Sequence, residues 1–350
     1  MRGRHPPEDI KASYFQPPAG QKLPGIVGDP DQRLRGAGGA VAGRRGVGPG
    51  QRAPRAVGDL PPLPNGFQPR KAGESRMTES IHEERVTFSA NHRELDADLA
   101  LPRGDGRRPA VIVVHEIWGL DAHMRDVAGR FAAQGYVALA PDLYTGELRG
   151  PMTPANIMAG MAFLRQAPPE LQRDFSKLGP LLAERSPAEQ EALRTLMRVM
   201  SPDQQQQFAE DLRGVARYLR GRSEVDPTRI AAVGFCMGGG LVALLATRDP
   251  ELRAGVVFYG SNPPLERVPG IRASILGLYG AEDHRITDTV PQFEEAMRKA
   301  GRRFERHIYP GAPHAFFNDS RPQVYRKEAA EDAWTRVLEF LVREFARLPT

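Results

Sequence analysis

The stretch Ile230-Ala231-Ala232-Val233-Gly234-Phe235-Cys236-Met237-Gly238-Gly239-Gly240-Leu241-Val242-Ala243-Leu244-Leu245 decides how this chain is read. Its opening residues are apolar and partly β-branched, as a strand covered on both faces requires. After Gly240 the run is dominated by Leu and Ala, which favour helix. Between the two lies Gly-x-Cys-x-Gly, a strand–turn–helix in which the central side chain stands on a sharp, strained turn. The residues two before and two after it must be very small, or strand and helix collide. Gly234 and Gly238 satisfy that need, so the segment has the form of a nucleophile elbow with Cys236 in the place more often held by serine. A sulfur at a helix N-terminus sits near unpaired N–H groups and the positive end of the helix dipole, which favours thiolate. Cys236 is the single cysteine of the 350 residues, so the chain has no internal disulfide. A free cysteine after a strand is otherwise a small buried hydrophobe, and its neighbours must decide between the two.

Outward from this point, apolar runs bounded by Gly and Pro alternate with amphipathic stretches, the pattern of an α/β sheet covered by helices. Strands are expected at Ala110–His115, Val137–Ala140, Ile230–Gly234, Gly255–Tyr259, Ser274–Tyr279 and Phe304–Tyr309, after an antiparallel opening pair at Val86–Ser89 and Leu95–Leu101. Helices are expected at Arg125–Gln134, Gln207–Arg220, Gly238–Thr247, Val290–Ala300 and Glu328–Ala346. The last carries Ala333, Val337, Phe340, Leu341 and Phe345 on one stripe. Residues 145–207 hold no strand-like run but do hold polar helical pieces such as Pro187–Met200, and read as a helical insertion. Because it follows a central strand's carboxyl end, where open α/β sheets bind ligands, it is a candidate cap.

Two further residues complete a nucleophile–acid–base order. Asp283 follows Ser274–Tyr279 in Gly280-Ala281-Glu282-Asp283, and His314 follows Phe304–Tyr309 in Pro310-Gly311-Ala312-Pro313-His314. Parallel strands carry all three loops to one edge of the sheet. In the expected roles His314 and Cys236 form a thiolate–imidazolium pair while Asp283 orients the ring and stabilises its charge. Glu282 rivals Asp283 as the acid. His115-Glu116-Ile117-Trp118-Gly119 ends another strand, where this arrangement needs oxyanion donors, and the backbone N–H groups of Ile117 and Met237 are the candidates. Trp118 and Tyr144 are candidate substrate contacts. Position 119 is Gly rather than the second His of H-E-x-x-H and no cysteine ligand is spare, so no metal or other cofactor is expected.

Residues 1–76 carry 13 Lys and Arg against 6 Asp and Glu, a balance of +7 that, against +5 for the whole chain, leaves the rest at −2. That segment is also rich in Gly and Pro without apolar period, and is expected to be a disordered leader before a folded domain at 77–350. Met77 is a candidate translation start. Its arginines lack interleaved aromatics or a reader motif, so nucleic acid is not an expected partner. No run reaches the roughly 18 apolar residues of a membrane helix and the leader has no apolar secretory core, so a cytoplasmic, monomeric protein is expected.

With His115-Glu116-Ile117-Trp118-Gly119, Pro141-Asp142-Leu143-Tyr144, Gly234-Phe235-Cys236-Met237-Gly238-Gly239, Asp283-His284 and His314-Ala315-Phe316 in order, the chain from about Glu83 onward resembles the dienelactone hydrolase family. The resemblance implies an α/β-hydrolase fold, a mostly parallel sheet of about eight strands with helices on both faces. It also implies carboxymethylenebutenolidase-type opening of an enol-lactone. In that family a glutamate matching Glu116 interacts with the resting thiol and is rearranged by substrate so that thiolate forms; the alternative for Glu116 is a charge satisfying loop N–H groups. The family's carboxylate-binding arginine shortly after the catalytic His is replaced here by Asn318, with Arg149, Arg165 and Arg321 as conceivable substitutes.

Leaving-group chemistry narrows the substrate independently. A thiolate normally leaves a tetrahedral intermediate before an alkoxide does, so enol-lactones and aryl esters are expected to outpace alkyl esters and amides. Two other readings use the same residues: a redox-active Cys236, for which the chain has no resolving cysteine, and a non-catalytic binding module on the same scaffold.

Overall fold

Residues 81–166, 182–183 and 185–347 are described by the computed structural model. The leader expected at 1–76 and residues 167–181 of the insertion lie outside them.

The strands are β1 (His82–Ala90), β2 (Arg93–Leu101), β3 (Arg108–Val114), β4 (Val137–Pro141), β5 (Val225–Phe235), β6 (Ala254–Phe258), β7 (Ser274–Gly280) and β8 (Phe304–Tyr309). They form one sheet in the order β1-β2-β4-β3-β5-β6-β7-β8. β2 runs antiparallel to both β1 and β4, and every other pairing is parallel. The wet edge pair and the covered inner strands expected from the sequence are therefore both present.

Alternation along β3 shows why the sheet is apolar on both sides. Ala110, Ile112 and Val114 join one buried cluster, Val111 and Val113 the other. The first face is covered by α4 (Pro202–Arg220), α5 (Met237–Ala246) and α7 (Val290–Lys299), through residues such as Phe208, Leu212, Leu241, Leu245, Phe293 and Met297. The second is covered by α1 (Ala122–Ala133) and α8 (Lys327–Ala346), and the expected stripe Ala333, Val337, Phe340, Leu341 and Phe345 is buried throughout. Burying each large side chain of that stripe contributes about 1.5–3 kcal/mol before entropy is charged against it.

From β3 the chain passes through α1 to β4 on one side, then returns to β5 on the other. At this reversal lie the carboxyl ends of β3 and β5, the place where an open α/β sheet accommodates a ligand. His115 to Gly119 leave β3 there and Cys236 leaves β5.

The insertion supplies α2 (Pro154–Gln166) and α3 (Pro187–Met200), the latter opened by a capping box between Ser186 and Glu189. α2 and α3 pack on each other, and Leu148, Ile157, Leu193, Leu196 and Val199 share an apolar cluster with Ile117 and Tyr144, against which Trp118 and Met237 pack. Several boundaries differ from the sequence expectation, and two of the shifts have a local cause. The helix expected from Gln207 starts at Pro202, because Ser201 caps it by accepting from the Gln204 N–H while Pro202 fits its first turn. The strand expected to run through Tyr259 ends at Phe258, because Tyr259 turns to φ 40°.

Candidate active site

Cys236 sits between β5 and α5 at φ 54° and ψ −116°, a conformation that side chains rarely adopt and that surrounding structure must impose. What imposes it is close packing at the two flanking glycines. A Cβ on Gly234 would lie 2.1 Å from the Gly238 carbonyl oxygen, and one on Gly238 would lie 2.3 Å from the Val114 carbonyl oxygen. The Cys236 N–H is held by the Phe258 carbonyl at 3.0 Å. The side chain is half-buried, caps no helix N–H and packs against the second apolar cluster.

The other two loops meet it. His314 Nδ1 bonds Asp283 Oδ2 at 2.5 Å, leaving Nε2 uncommitted to the carboxylate, and Cys236 is close enough to act on the imidazole. Asp283 is buried while Glu282, its rival in the sequence, is exposed. The acid and base loops are tied by the Ala281 N–H to the Tyr309 carbonyl (2.9 Å) and the Glu282 N–H to the Ala312 carbonyl (3.0 Å). Burial disfavours charge on the His314 imidazole, but its hydrogen bonds to Asp283 and Cys236 outweigh that and raise it to about 10.

The β3 exit is built around buried polar groups. His115 Nε2 accepts the Leu143 N–H at 3.2 Å, so its proton belongs on Nδ1, which donates to the Glu116 carbonyl at 2.6 Å. Burial lowers the His115 pKa and keeps the ring neutral in this clamp between the exits of β3 and β4. Tyr144, a candidate substrate contact by sequence, spends its hydroxyl on the Ile117 carbonyl at 2.9 Å and lies 3.8 Å from Met237 Sδ. It thereby ties together the two residues whose N–H groups are the oxyanion candidates. Among the described residues, neither of those N–H groups donates to a backbone acceptor outside a helix.

Glu116 is 2% exposed, and burial raises its pKa while Arg321 and Asn318 act in the other direction. Its partners are the Tyr259 hydroxyl, donating to Oε1 at 3.2 Å, and Asn318 Nδ2, donating to Oε2 at 3.1 Å. Each Glu116 oxygen thus accepts from a neutral donor. Tyr259 was legible only as the end of a strand; its positive φ turns the ring to 5.1 Å from that of His314 and aims its hydroxyl at Glu116. No sequence signal for a non-glycine residue in that conformation exists. Asn318 is held in turn by its neighbours, because Asp319 is bound to Arg130 of α1 at 2.5 Å and faces His123 at 3.1 Å.

Of the arginines considered as anion ligands, Arg149 is engaged by Asp96 at 2.5 Å and Asp142 at 3.4 Å. The side chain of Arg165 lies outside the described residues. Arg321 lies over the Trp118 ring, its guanidinium carbon 5.4 Å from the centroid, and acts electrostatically on Glu116 and Tyr259. Among the described residues no carboxylate pairs with it, no cluster of three or more His, Cys, Asp or Glu is arranged for a metal ion, and no helix is long and apolar enough to cross a membrane.

Comparison with known proteins agrees with this architecture. A provisionally named carboxymethylenebutenolidase of Saccharolobus solfataricus is 39% identical over 265 residues, covering 75% of this chain and 98% of that one. A protein of the same provisional name from Escherichia coli K12 is 33% identical over 249 residues, 68% of this chain and 78% of its own. The crystal structure of a Klebsiella pneumoniae protein, provisionally described as a dienelactone hydrolase, shares 31% identity with a TM-score of 0.57, covering 76% of this chain and all of that one. The family model for the dienelactone hydrolase family matches residues 95–345. This α/β-hydrolase-fold chain belongs to the dienelactone hydrolase family.

Proposed function

We propose that the chain opens an ester or lactone by attack of the Cys236 thiolate, through an acyl-enzyme. What supports this reading is the position of Cys236 on a strained elbow together with the His314–Asp283 hydrogen bond at the same edge of the sheet. His314 holds the proton removed from the thiol and returns it to the leaving oxygen, and Asp283 keeps the ring oriented and its positive charge offset. The Ile117 and Met237 N–H groups receive the oxyanion; water then attacks the acyl group, with His314 acting as base. No cofactor is needed for any of these steps.

The pH dependence follows from the sign of the His314 shift. Because its folded pKa is raised from 6.5 to about 10, the charged ring contributes stability fully present below about 6.5 and lost as pH rises through about 10. The same proton serves the leaving group, so kcat/KM is expected to hold through pH 8 to 9 and to fall near 10. A pH–rate profile on an aryl acetate checks this, and a falling limb near 6.5 contradicts it.

The substrate class we infer is an enol-lactone or activated ester with an anionic group, held by Arg321 against Trp118. A charge-assisted hydrogen bond is worth about 1.5–3 kcal/mol, so Arg321→Ala is expected to lower kcat/KM for a carboxylate-bearing aryl ester by roughly 10- to 100-fold. The matched neutral ester should change by less than about threefold on the same scale. Equal losses on both esters would remove Arg321 from the substrate site.

A further inference from the structure

The segment from His314 to Arg321 carries an imidazole to the elbow and then leaves the site. On its near side the acid loop holds it, through the Glu282 N–H to the Ala312 carbonyl and the bond between His314 and Asp283. Directly after His314 comes Ala315 at φ 63°, a left-handed conformation that a residue with a Cβ keeps only where surrounding contacts enforce it. Two backbone bonds within the segment are local turns, from the Asn318 N–H to the Ala315 carbonyl at 3.0 Å and from the Arg321 N–H to the Asn318 carbonyl at 3.1 Å. Such turns fix the segment's own shape but not its place on the protein.

On the far side it meets α1. Asp319 Oδ2 accepts from Arg130 at 2.5 Å, and Asp319 Oδ1 lies 3.1 Å from His123 Nδ1. Arg130 is steadied in turn by Asp126, one turn back on the helix. The His123 side chain is 1% exposed, and its ring lies 6.3 Å from that of Phe317 and 6.5 Å from that of Phe235, centroid to centroid. Phe235 immediately precedes Cys236 and stacks on Phe317 at 5.4 Å. Among the described residues neither ring nitrogen of His123 makes an aligned hydrogen bond, so its burial leans on the facing Asp319 carboxylate. One imidazole thus packs against the elbow strand and the base-bearing segment together, and Asp319 is the polar link from that segment to α1.

We propose that Asp319 is a positioning residue for the proposed base: held by Arg130 and His123, it fixes the far end of the His314 segment against α1 and so sets where the imidazole stands relative to the Cys236 elbow. This rests on the reading of Cys236 as nucleophile and His314 as base. No bond is made or broken at Asp319; its effect reaches the chemistry through the backbone between 314 and 319. The side chains of Asp319 and Arg130 are each about one-third exposed, so as an ion pair they add little to stability. Proton transfer is more demanding, because a displacement of about 1 Å can cost about a hundredfold in rate. The effect is therefore expected in kcat.

The test uses a neutral aryl acetate, which leaves Arg321 out of the comparison, with kcat taken per folded molecule from parallel thermal unfolding. Asp319→Ala is expected to lower kcat by about 10- to 100-fold with KM within about threefold of the parent. Asp319→Asn keeps an oxygen for Arg130 and His123, and should recover kcat to within about fivefold of the parent. Arg130→Met combined with His123→Phe removes both anchors while keeping apolar bulk among the aromatic rings, and should reproduce the Asp319→Ala loss. Adding Asp319→Ala to that pair should cost less than about threefold more, because the three groups act as one unit. A role confined to folding would lower the melting temperature and leave kcat per folded molecule where it was. An Asp319→Ala kcat within about threefold of the parent, a loss carried by KM, or an Asp319→Asn loss equal to that of alanine overturns the proposal. Should Asp319→Ala not fold, the Arg130→Met and His123→Phe combination decides on the same thresholds. Failure of the underlying reading shows separately, as undiminished ester turnover in Cys236→Ala.

Discussion

Cys236→Ala is expected to reduce turnover of an aryl ester or enol-lactone by about 10⁴- to 10⁶-fold, the scale of losing a nucleophile in a triad that works as a unit. What remains is the contribution of the oxyanion donors and of substrate binding, which the substitution leaves in place. The fold should persist, because Cys236 is half-buried and its backbone conformation is imposed by contacts at Gly234 and Gly238, not by its own side chain. In the parent, rapid quenching during turnover followed by peptide mass spectrometry should find the acyl group on the Cys236 peptide. A variant with full turnover, or an acyl adduct on another residue, would end the cysteine mechanism while leaving the family assignment untouched. The same outcome separates hydrolysis from the binding-module alternative, which expects no turnover in the parent either.

Gly238→Ala is expected to destabilise the chain by about 3 kcal/mol or more, enough to lose much of a typical domain's net stability. The added methyl would sit 2.3 Å from the Val114 carbonyl oxygen and 2.6 Å from that of His115. Both belong to the backbone at the end of β3, which pairs with β4 on one side and β5 on the other and has no room to retreat. Relief would have to come from α5 swinging outward, and Cys236 would move with it. Gly240→Ala is the control. Its methyl meets the Ser261 hydroxyl at 2.6 Å, the end of a small exposed side chain, and helix propensity favours Ala by up to about 1 kcal/mol. Chemical denaturation of both variants checks the contrast; similar losses would mean that the elbow's close approach is not what requires glycine at 238.

Much of the site is local in the chain and was legible there. Strand ends followed by Gly-rich turns place Cys236, Asp283 and His314 at one edge because all parallel strands point the same way, and their order fits the fold. Arg149 and Arg321 looked equivalent as anion ligands, since nothing local separates one surface arginine from another. Asp96 is brought beside Arg149 by sheet pairing 53 residues away in sequence, whereas Arg321 meets the face of Trp118. Tyr144 read as a substrate contact because the hydroxyl's partner, the Ile117 carbonyl, lies in a different loop.

The sequence by itself determined the periodicity of strands and helices, the glycine-framed turn and which residues stand at the three loop positions proposed for nucleophile, acid and base. These depend on residues close together in the chain and on one rule, that parallel strands share a carboxyl edge. Tertiary structure alone decided what Glu116 touches, because Tyr259 and Asn318 lie 143 and 202 residues from it. A buried carboxyl takes its partners from whatever packing delivers. Packing is a property of the whole assembled sheet and of one strained φ at Tyr259, and no short stretch of sequence encodes either.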